Sequence, residues 1–271
     1  MIFIFLGRVK MGIFDSYKKK SLIKNSIDLE NQGKYEEALK CLDKAQKLDS
    51  EDFYIWYNKG VVFGKLKRYQ EALKCYDKSI KFNPEDVKAW YNKAITLEKL
   101  GKHKNAIECY DNALNIDSKL YQAWNNRGIV LGNIGKYSEA IESFDNALNL
   151  NSDHASSWYN KGNVFKELER YGDAIECYNK AIELDPKYFS AWFNKGVAFA
   201  GFEEFDKALK CFDKVLELDS KSVKVLYAKG IVLLKIGKSK EALECFDKAL
   251  EINPNFKPAK EGKERVLSSM P

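Results

Sequence analysis

Apolar residues in this chain fall at i, i+4 and i+7, then at i, i+4 and i+7 again, and the double pattern recurs every 34 residues. With the recurring tryptophan set at position 4, positions 4, 8 and 11 form the first triplet, as in Trp90, Ala94 and Leu97. Positions 20, 24 and 27 form the second, as in Ala106, Tyr110 and Ala113. Each triplet lies along one face of an α-helix. Glycine separates them in Leu100-Gly101-Lys102 and Ile134-Gly135-Lys136, which suits a left-handed helix end. A fixed period of this length means one supersecondary unit copied along the chain. Seven units result, 19–52, 53–86, 87–120, 121–154, 155–188, 189–222 and 223–256, each predicted as helix A, tight turn, helix B and short loop.

Asp or Asn followed by Pro or Ser ends the units, as in Asn83-Pro84, Asp117-Ser118, Asp185-Pro186 and Asn253-Pro254. An Asx cap with proline at the first helical position is expected to start each following helix A. Position 8 is small (Gly60, Ala94, Gly128, Gly162, Gly196, Gly230), and position 20 is alanine in all seven units. Glycine inside a helix costs about 1 kcal/mol relative to alanine. The expected reason is that helix B crosses at position 8 with the position-20 alanine facing it. Trp56, Trp90, Trp124, Trp158 and Trp192 should then fill the core beside the position-24 side chains, and truncating one should cost about 3–5 kcal/mol.

Residues 155–186 carry Trp158, Gly162, Tyr171, Ala174, Tyr178, Ala181 and Pro186 at the spacing Trp-x-x-x-Gly … Tyr-x-x-Ala-x-x-x-Tyr-x-x-Ala … Pro. That pattern resembles the tetratricopeptide repeat family, and the likeness runs over about 19–256. The resemblance implies an all-α fold, a right-handed α-solenoid of antiparallel helix pairs, acting as a protein-interaction scaffold. One departure is steady. Position 7, often leucine in the family, is basic here: Lys59, Lys93, Arg127, Lys161, Lys195 and Lys229. Position 25 is acidic in six units (Asp43, Asp77, Asp111, Asp145, Asp213, Asp247), so an ion-pair ladder between helices is expected.

Charge and cysteine use narrow the function classes. The net charge is +6, and most of it sits in residues 1–24, where Arg8, Lys10, Lys18, Lys19, Lys20 and Lys24 face only Asp15. The nearly neutral remainder argues against a nucleic-acid footprint. Cys41, Cys75, Cys109, Cys177, Cys211 and Cys245 all occupy position 23, where Ser143 fills the remaining slot. They read as small half-buried side chains in a reducing cytoplasm, not as disulfides. Without a C-x-x-C pair or a His cluster, neither a metal site nor a cofactor is expected. Gly60-Val-Val-Phe-Gly64-Lys65 is one residue short of a phosphate loop and lies inside a helix. No nucleophile or paired carboxylates stand in a credible site, so the reading is non-enzymatic.

Residues 1–18 read as an N-terminal extension and 257–271 as a C-terminal capping helix. Two readings of residues 1–10 stand: native sequence, or upstream sequence ahead of a true start at Met11. The apolar run Ile2–Leu6 is too short to span a bilayer, which needs about 20 residues. Ile13, Phe14 and Tyr17 ahead of Lys18, Lys19 and Lys20 should dock on the first repeat. Their alternative role is contact with an anionic membrane, in a membrane-apposed assembly factor.

The resemblance assigns positions 2, 5, 6, 9, 12 and 13 to a concave groove. Its candidate peptide-binding residues are Tyr57, Asn58, Tyr91, Asn92, Asn126, Tyr159, Asn160, Phe193, Asn194 and Tyr227. Asn amides both donate and accept, so they can hold a peptide backbone without reading its side chains. The competing reading has these residues packing neighbouring A helices. A carboxylate-clamp co-chaperone is a further alternative, matched by Asn163, Asn194 and Lys224 but lacking two of the family's cations, where Tyr159 and Ala228 stand instead. The partner class is a protein or peptide, with neither nucleic acid nor membrane expected.

Overall fold

The computed structural model describes the backbone of residues 2–269 and the side chains of residues 12 and 14–268. Among the described residues the structure holds fifteen α-helices and no strand. The chain falls into two compact units, Met1–Ile134 and Gly135–Pro271. The first contains α1 (Ile2–Asn31), α2 (Tyr35–Leu48), α3 (Phe53–Lys65), α4 (Tyr69–Phe82), α5 (Val87–Lys99), α6 (His103–Ile116) and α7 (Tyr121–Asn133). Here α1 pairs with α2, α3 with α4 and α5 with α6, and each B helix also packs on the next A helix. The second contains α8 (Tyr137–Leu150), α9 (Ala155–Glu167), α10 (Tyr171–Leu184), α11 (Phe189–Gly201), α12 (Phe205–Leu218), α13 (Val223–Lys235), α14 (Ser239–Ile252) and α15 (Lys257–Ser269). Its pairs are α9–α10, α11–α12 and α13–α14, with α15 laid on α13 and α14. Each predicted A and B helix is present.

The turn inside each repeat is a left-handed C-cap. Gly101 takes φ of 70°, its N–H donates to the Glu98 carbonyl, and the Lys102 N–H donates to the Leu97 carbonyl at 2.9 Å. These bonds satisfy carbonyls that a helix end would otherwise leave orphaned. Lys67, Glu169 and Glu203 hold the same conformation, with φ of 58°, 57° and 59°.

The loop between repeats differs from expectation. Asn83 does not cap the next helix. It ends α4, its N–H bonds the Ser79 carbonyl, and its Oδ1 accepts the Glu85 N–H at 3.3 Å. Asp117, Asp185 and Asn253 make the same Asx turn to Lys119, Lys187 and Asn255. The following proline or serine lies in that turn. Helix A begins later, and among the described residues only Asp52 and Asp86 cap it with a side chain, accepting from Tyr54 and Lys88. An Asx turn and an Asx cap use the same residue type, so the dipeptide alone did not separate them.

Packing at position 8 also needs correction. A Cβ placed on Gly60 would lie 2.5 Å from the Tyr76 ring, and one on Gly196 would lie 2.6 Å from Phe212. The position-24 ring, rather than the position-20 alanine, excludes a larger side chain. That ring is the centre of the core: Tyr110, Tyr178 and Phe246 are fully buried. The tryptophans are less buried than expected. Trp56 is 7% exposed, whereas Trp90, Trp124, Trp158 and Trp192 are half-buried. Each indole N–H donates to a loop carbonyl six residues earlier, Ser50, Pro84, Ser118, Ser152 or Pro186. The ring thus lies over the loop between repeats and holds it.

Helix A buries a second stripe that the first triplet did not mark. Position 3 (Ile55, Ala89, Ala123, Ser157, Ala191, Val225) and position 10 (Val62, Thr96, Val130, Val164, Ala198, Val232) are buried. Position 7 lies on this stripe, which explains its basic residue. Lys59 meets Asp43 at 2.7 Å, Lys93 meets Asp77 at 2.7 Å, and Arg127 meets Asp111 at 2.6 Å. In the second unit Lys161–Asp145 and Lys229–Asp213 stand at 2.5 Å. The ladder extends onto the cap through Lys263–Asp247 at 2.6 Å. Most of these cations also lie over the tryptophan one turn back, as Lys93 does over Trp90 at 5.2 Å.

At the N-terminal end α1 runs unbroken into the first repeat. Phe14 and Tyr17 are 68% and 79% exposed rather than docked on the first repeat as expected. Lys19 bridges Asp49 and Asp52 at 2.8 and 2.6 Å, tying α1 to the loop before α3. The side chains of residues 1–11 and Ile13 lie outside those described. At the other end Ala259 and Val266 of α15 are buried and Leu267 is half exposed, as a lid with one polar face requires.

Candidate functional site

Position 5 follows the tryptophan on helix A and points beside the core stripe. In the first unit Tyr57 and Tyr91 are half-buried there. Their rings lie 6.3 Å from Tyr76 and 6.0 Å from Tyr110, the buried position-24 rings of their own repeats. Each phenol oxygen accepts from an asparagine of the next repeat. Asn92 Nδ2 reaches Tyr57 Oη at 3.1 Å, and Asn126 Nδ2 reaches Tyr91 Oη at 3.0 Å. Burial pushes both phenols above their ordinary pKa. Asn58 is 5% exposed and donates to the Tyr54 carbonyl at 2.7 Å.

The second unit repeats the arrangement. Tyr159, Phe193 and Tyr227 lie 6.0, 5.8 and 6.0 Å from Tyr178, Phe212 and Phe246. Asn194 Nδ2 donates to Tyr159 Oη at 3.1 Å and to Asn163 Oδ1 at 2.8 Å. Asn163 Oδ1 also accepts from the buried Tyr178 hydroxyl at 2.8 Å. An amide oxygen has two lone pairs, so Asn163 has only its Nδ2 left for a ligand. Tyr188 joins this cluster, its ring 5.0 Å from Tyr159, a neighbour the repeat register did not flag because it lies in the loop. Asn160 is half-buried and Lys224 is exposed.

Much of the amide capacity expected to face a peptide backbone is therefore spent between repeats. What each unit presents is a row of braced aromatic rings flanked by aliphatic position-9 side chains: Val61 and Ile95 in the first unit, Val197 and Ile231 in the second, all half-buried. Such a surface offers rigid apolar contact with polar edges. Asn125, where most repeats carry an aromatic residue, is 6% exposed and donates to Asn126 Oδ1 at 3.1 Å. Its burial was not legible, since asparagine at position 5 reads as a polar surface residue.

Among the described residues no group of His, Cys, Asp and Glu could hold a metal ion, and no helix is long and apolar enough to cross a membrane. The six cysteines are unpaired. Burial pushes the thiols up, Cys75, Cys109 and Cys211 to about 11 and Cys177 to about 12, away from the range of a reactive thiolate.

A family model described as Tetratricopeptide repeat matches residues 53–86, 87–120, 121–154, 155–188, 189–222 and 223–256, and one described as TPR repeat matches 31–67. No curated protein sequence matches the chain. Among solved structures, YrrB, described as a TPR protein with an unusual peptide-binding site, is 29% identical, covers 71% of this chain and 99% of its own, and superposes with a TM-score of 0.60. MamA is 27% identical over 65% of this chain and 96% of its own, with a TM-score of 0.60. The C-terminal part of a TPR repeat-containing protein from Cytophaga hutchinsonii shares the fold, with a TM-score of 0.75 at 19% identity over 89% of this chain and 98% of that one.

Proposed function

Because the chain belongs to the tetratricopeptide repeat family, we propose that it is a non-enzymatic scaffold that binds a peptide or partner segment across the position-5 rings of its A helices. Members of this family generally serve as interaction scaffolds rather than catalysts. The observation that carries the finer reading is the braced row that each of the two units presents. Tyr57, Tyr91, Tyr159, Phe193 and Tyr227 keep partly open faces while their other sides rest on buried rings. Inter-repeat asparagine bonds fix Tyr57, Tyr91 and Tyr159 before any ligand arrives, which lowers the ordering cost of binding. YrrB, whose peptide-binding site is described as unusual, supports a peptide as the ligand class.

The carboxylate-clamp reading has less support. Asn163 and Asn194 spend hydrogen bonds on each other, and no cation stands at Tyr159 or Ala228 to pair a carboxylate bidentately. The unpaired cysteines favour a reducing compartment, so the cytoplasm is the proposed location.

Panning a random peptide library on the full chain, followed by titration of the selected peptides, tests the proposal. Tyr91→Ala and Tyr159→Ala should each weaken the selected peptides roughly tenfold, the scale of one hot-spot contact. Amidating the peptide C-terminus should change nothing. Full affinity in both tyrosine variants would overturn the aromatic-row reading, and collapse on amidation would reinstate the clamp.

A further inference from the structure

The sixth repeat breaks the charge pattern of the others at three positions at once. At position 25 it faces Asn179 of the preceding repeat where six repeats carry aspartate. Lys195 therefore makes no ion pair among the described residues and lies over Trp192 at 4.9 Å and Phe199 at 5.8 Å. At position 16 it carries Glu204 where every other repeat is basic, and at position 19 it carries Lys207 where five others are acidic. The usual pair runs from a basic position 16 to an acidic position 19, as in Arg170–Asp173 at 2.7 Å. Here it is inverted, with Lys207 meeting Glu204 at 2.5 Å.

The inversion gathers cations around one depression. A hollow of about 330 Å³ has Trp192 and Phe199 as its apolar walls and is ringed by Lys195, Lys207, Lys210 and Lys214, without a carboxylate in its lining. The corresponding hollow of the fifth repeat has Trp158 and Phe165 but is rimmed by Asp173, Glu176 and Glu183 as well as lysines. Lys210 makes no ion pair among the described residues. Among the described residues Lys207 and Lys214 each have one i,i+3 partner, the half-buried Glu204 and the exposed Glu217. Pairs with a largely exposed member are weak and exchange readily for a better anion. Lys207 also lies over the Phe199 ring at 5.5 Å, so the cations and the apolar walls form one surface.

We propose that this hollow is a second binding site, independent of the position-5 row, for an acidic segment of a partner protein. The segment seats an apolar side chain between Trp192 and Phe199 and places carboxylates on either side among the four lysines. The site is local. The positions equivalent to Lys207 and Lys210 are acidic in the neighbouring repeats, Asp173 and Glu176 before it and Glu241 and Glu244 after it. An extended polyanion such as a membrane surface or a nucleic-acid backbone would meet like charge on both sides. A short acidic stretch with basic or neutral flanks meets complementary charge throughout.

Isothermal titration of the full chain with acetylated, amidated Asp-Glu-Phe-Glu-Asp tests the site, with Asn-Gln-Phe-Gln-Asn as the uncharged control. The acidic peptide should bind and weaken as salt rises, and the control should not bind. Lys195→Ala combined with Lys210→Ala should weaken binding about tenfold or more, as loss of close charge pairs does. Asn179→Asp restores the missing partner of Lys195 and should weaken binding while leaving the melting temperature unchanged or higher, which separates lost recognition from lost folding. Lys180→Ala in the fifth repeat should leave affinity as it was. No binding of the acidic peptide, equal binding of the control, or undiminished binding by the double variant and by Asn179→Asp would overturn the proposal. So would co-sedimentation with phosphatidylserine vesicles that the same double variant abolishes, since that would make the patch a membrane contact.

Discussion

At the scale of single residues, two choices show how each repeat balances conformation and hydrogen bonding. Lys67 and Glu169 sit in the left-handed region that glycine occupies in four other repeats. A side chain there costs about 1–2 kcal/mol, partly offset by the greater unfolded freedom of glycine. Lys67→Gly and Glu169→Gly should therefore each stabilise the protein by roughly 0.5–1 kcal/mol, read as a rise in the denaturation midpoint; lower midpoints would contradict the strain assigned to these turns. Asn163 offers a sharper test, because it serves the buried Tyr178 hydroxyl, whereas Phe212 of the next repeat has the aliphatic Val197 at the same register position. Asn163→Val alone should cost about 1–3 kcal/mol, by stranding a buried donor. Adding Tyr178→Phe should recover most of that loss, and additive costs in the double variant would rule out the coupling.

At the scale of elements, the ion-pair ladder joins α3, α5, α7, α9, α13 and the terminal α15 to the helix B before each, and is interrupted at α11, where Asn179 replaces the aspartate. Lys161 is the most informative member, with its side chain 15% exposed and Asp145 at 2.5 Å. Lys161→Glu sets like charges together and should cost about 1–3 kcal/mol, with Asp145→Lys in the same chain restoring part of it. Chemical denaturation checks this, and an unchanged midpoint in the single variant would remove the ladder as a stabilising device. The ladder was legible in the sequence because both rows recur in one register, as were the helix pairs and the glycine C-caps. The start of helix A was not, because Asn83 and its equivalents suit a turn and a cap equally well. The second buried stripe was missed because alanine, serine and valine at positions 3 and 10 carry a weak apolar signal beside tryptophan. Of the candidate site, the tyrosine and asparagine rows were legible as rows. Their hydrogen bonds to one another were not, since a register places residues on a face without showing which neighbour each one reaches.

At the scale of the whole molecule, five buried cysteines on the B helices give stability a defined alkaline limit. Their folded pKa values are raised, so the stability they contribute is fully present below the unfolded value near 9 and is lost as pH rises toward about 11. The buried position-24 tyrosines, also raised by burial, act in the same direction at higher pH. Melting temperature should fall steadily between about pH 9 and 11. The slope should shrink in Cys177→Ser, which copies Ser143 of the fourth repeat, where Oγ bonds the Glu139 carbonyl at 2.8 Å. A flat profile over that range would contradict the burial assigned to the thiols.

Hydrogen exchange of the full chain with and without a library-selected peptide tests the central claim most directly, because it reports which helices a partner covers. Binding across the position-5 rings predicts slowed exchange in A helices, among α3, α5, α9, α11 and α13, with the B helices α4, α6, α10, α12 and α14 unchanged. Slowing confined to the B helices would place the partner elsewhere and contradict the account.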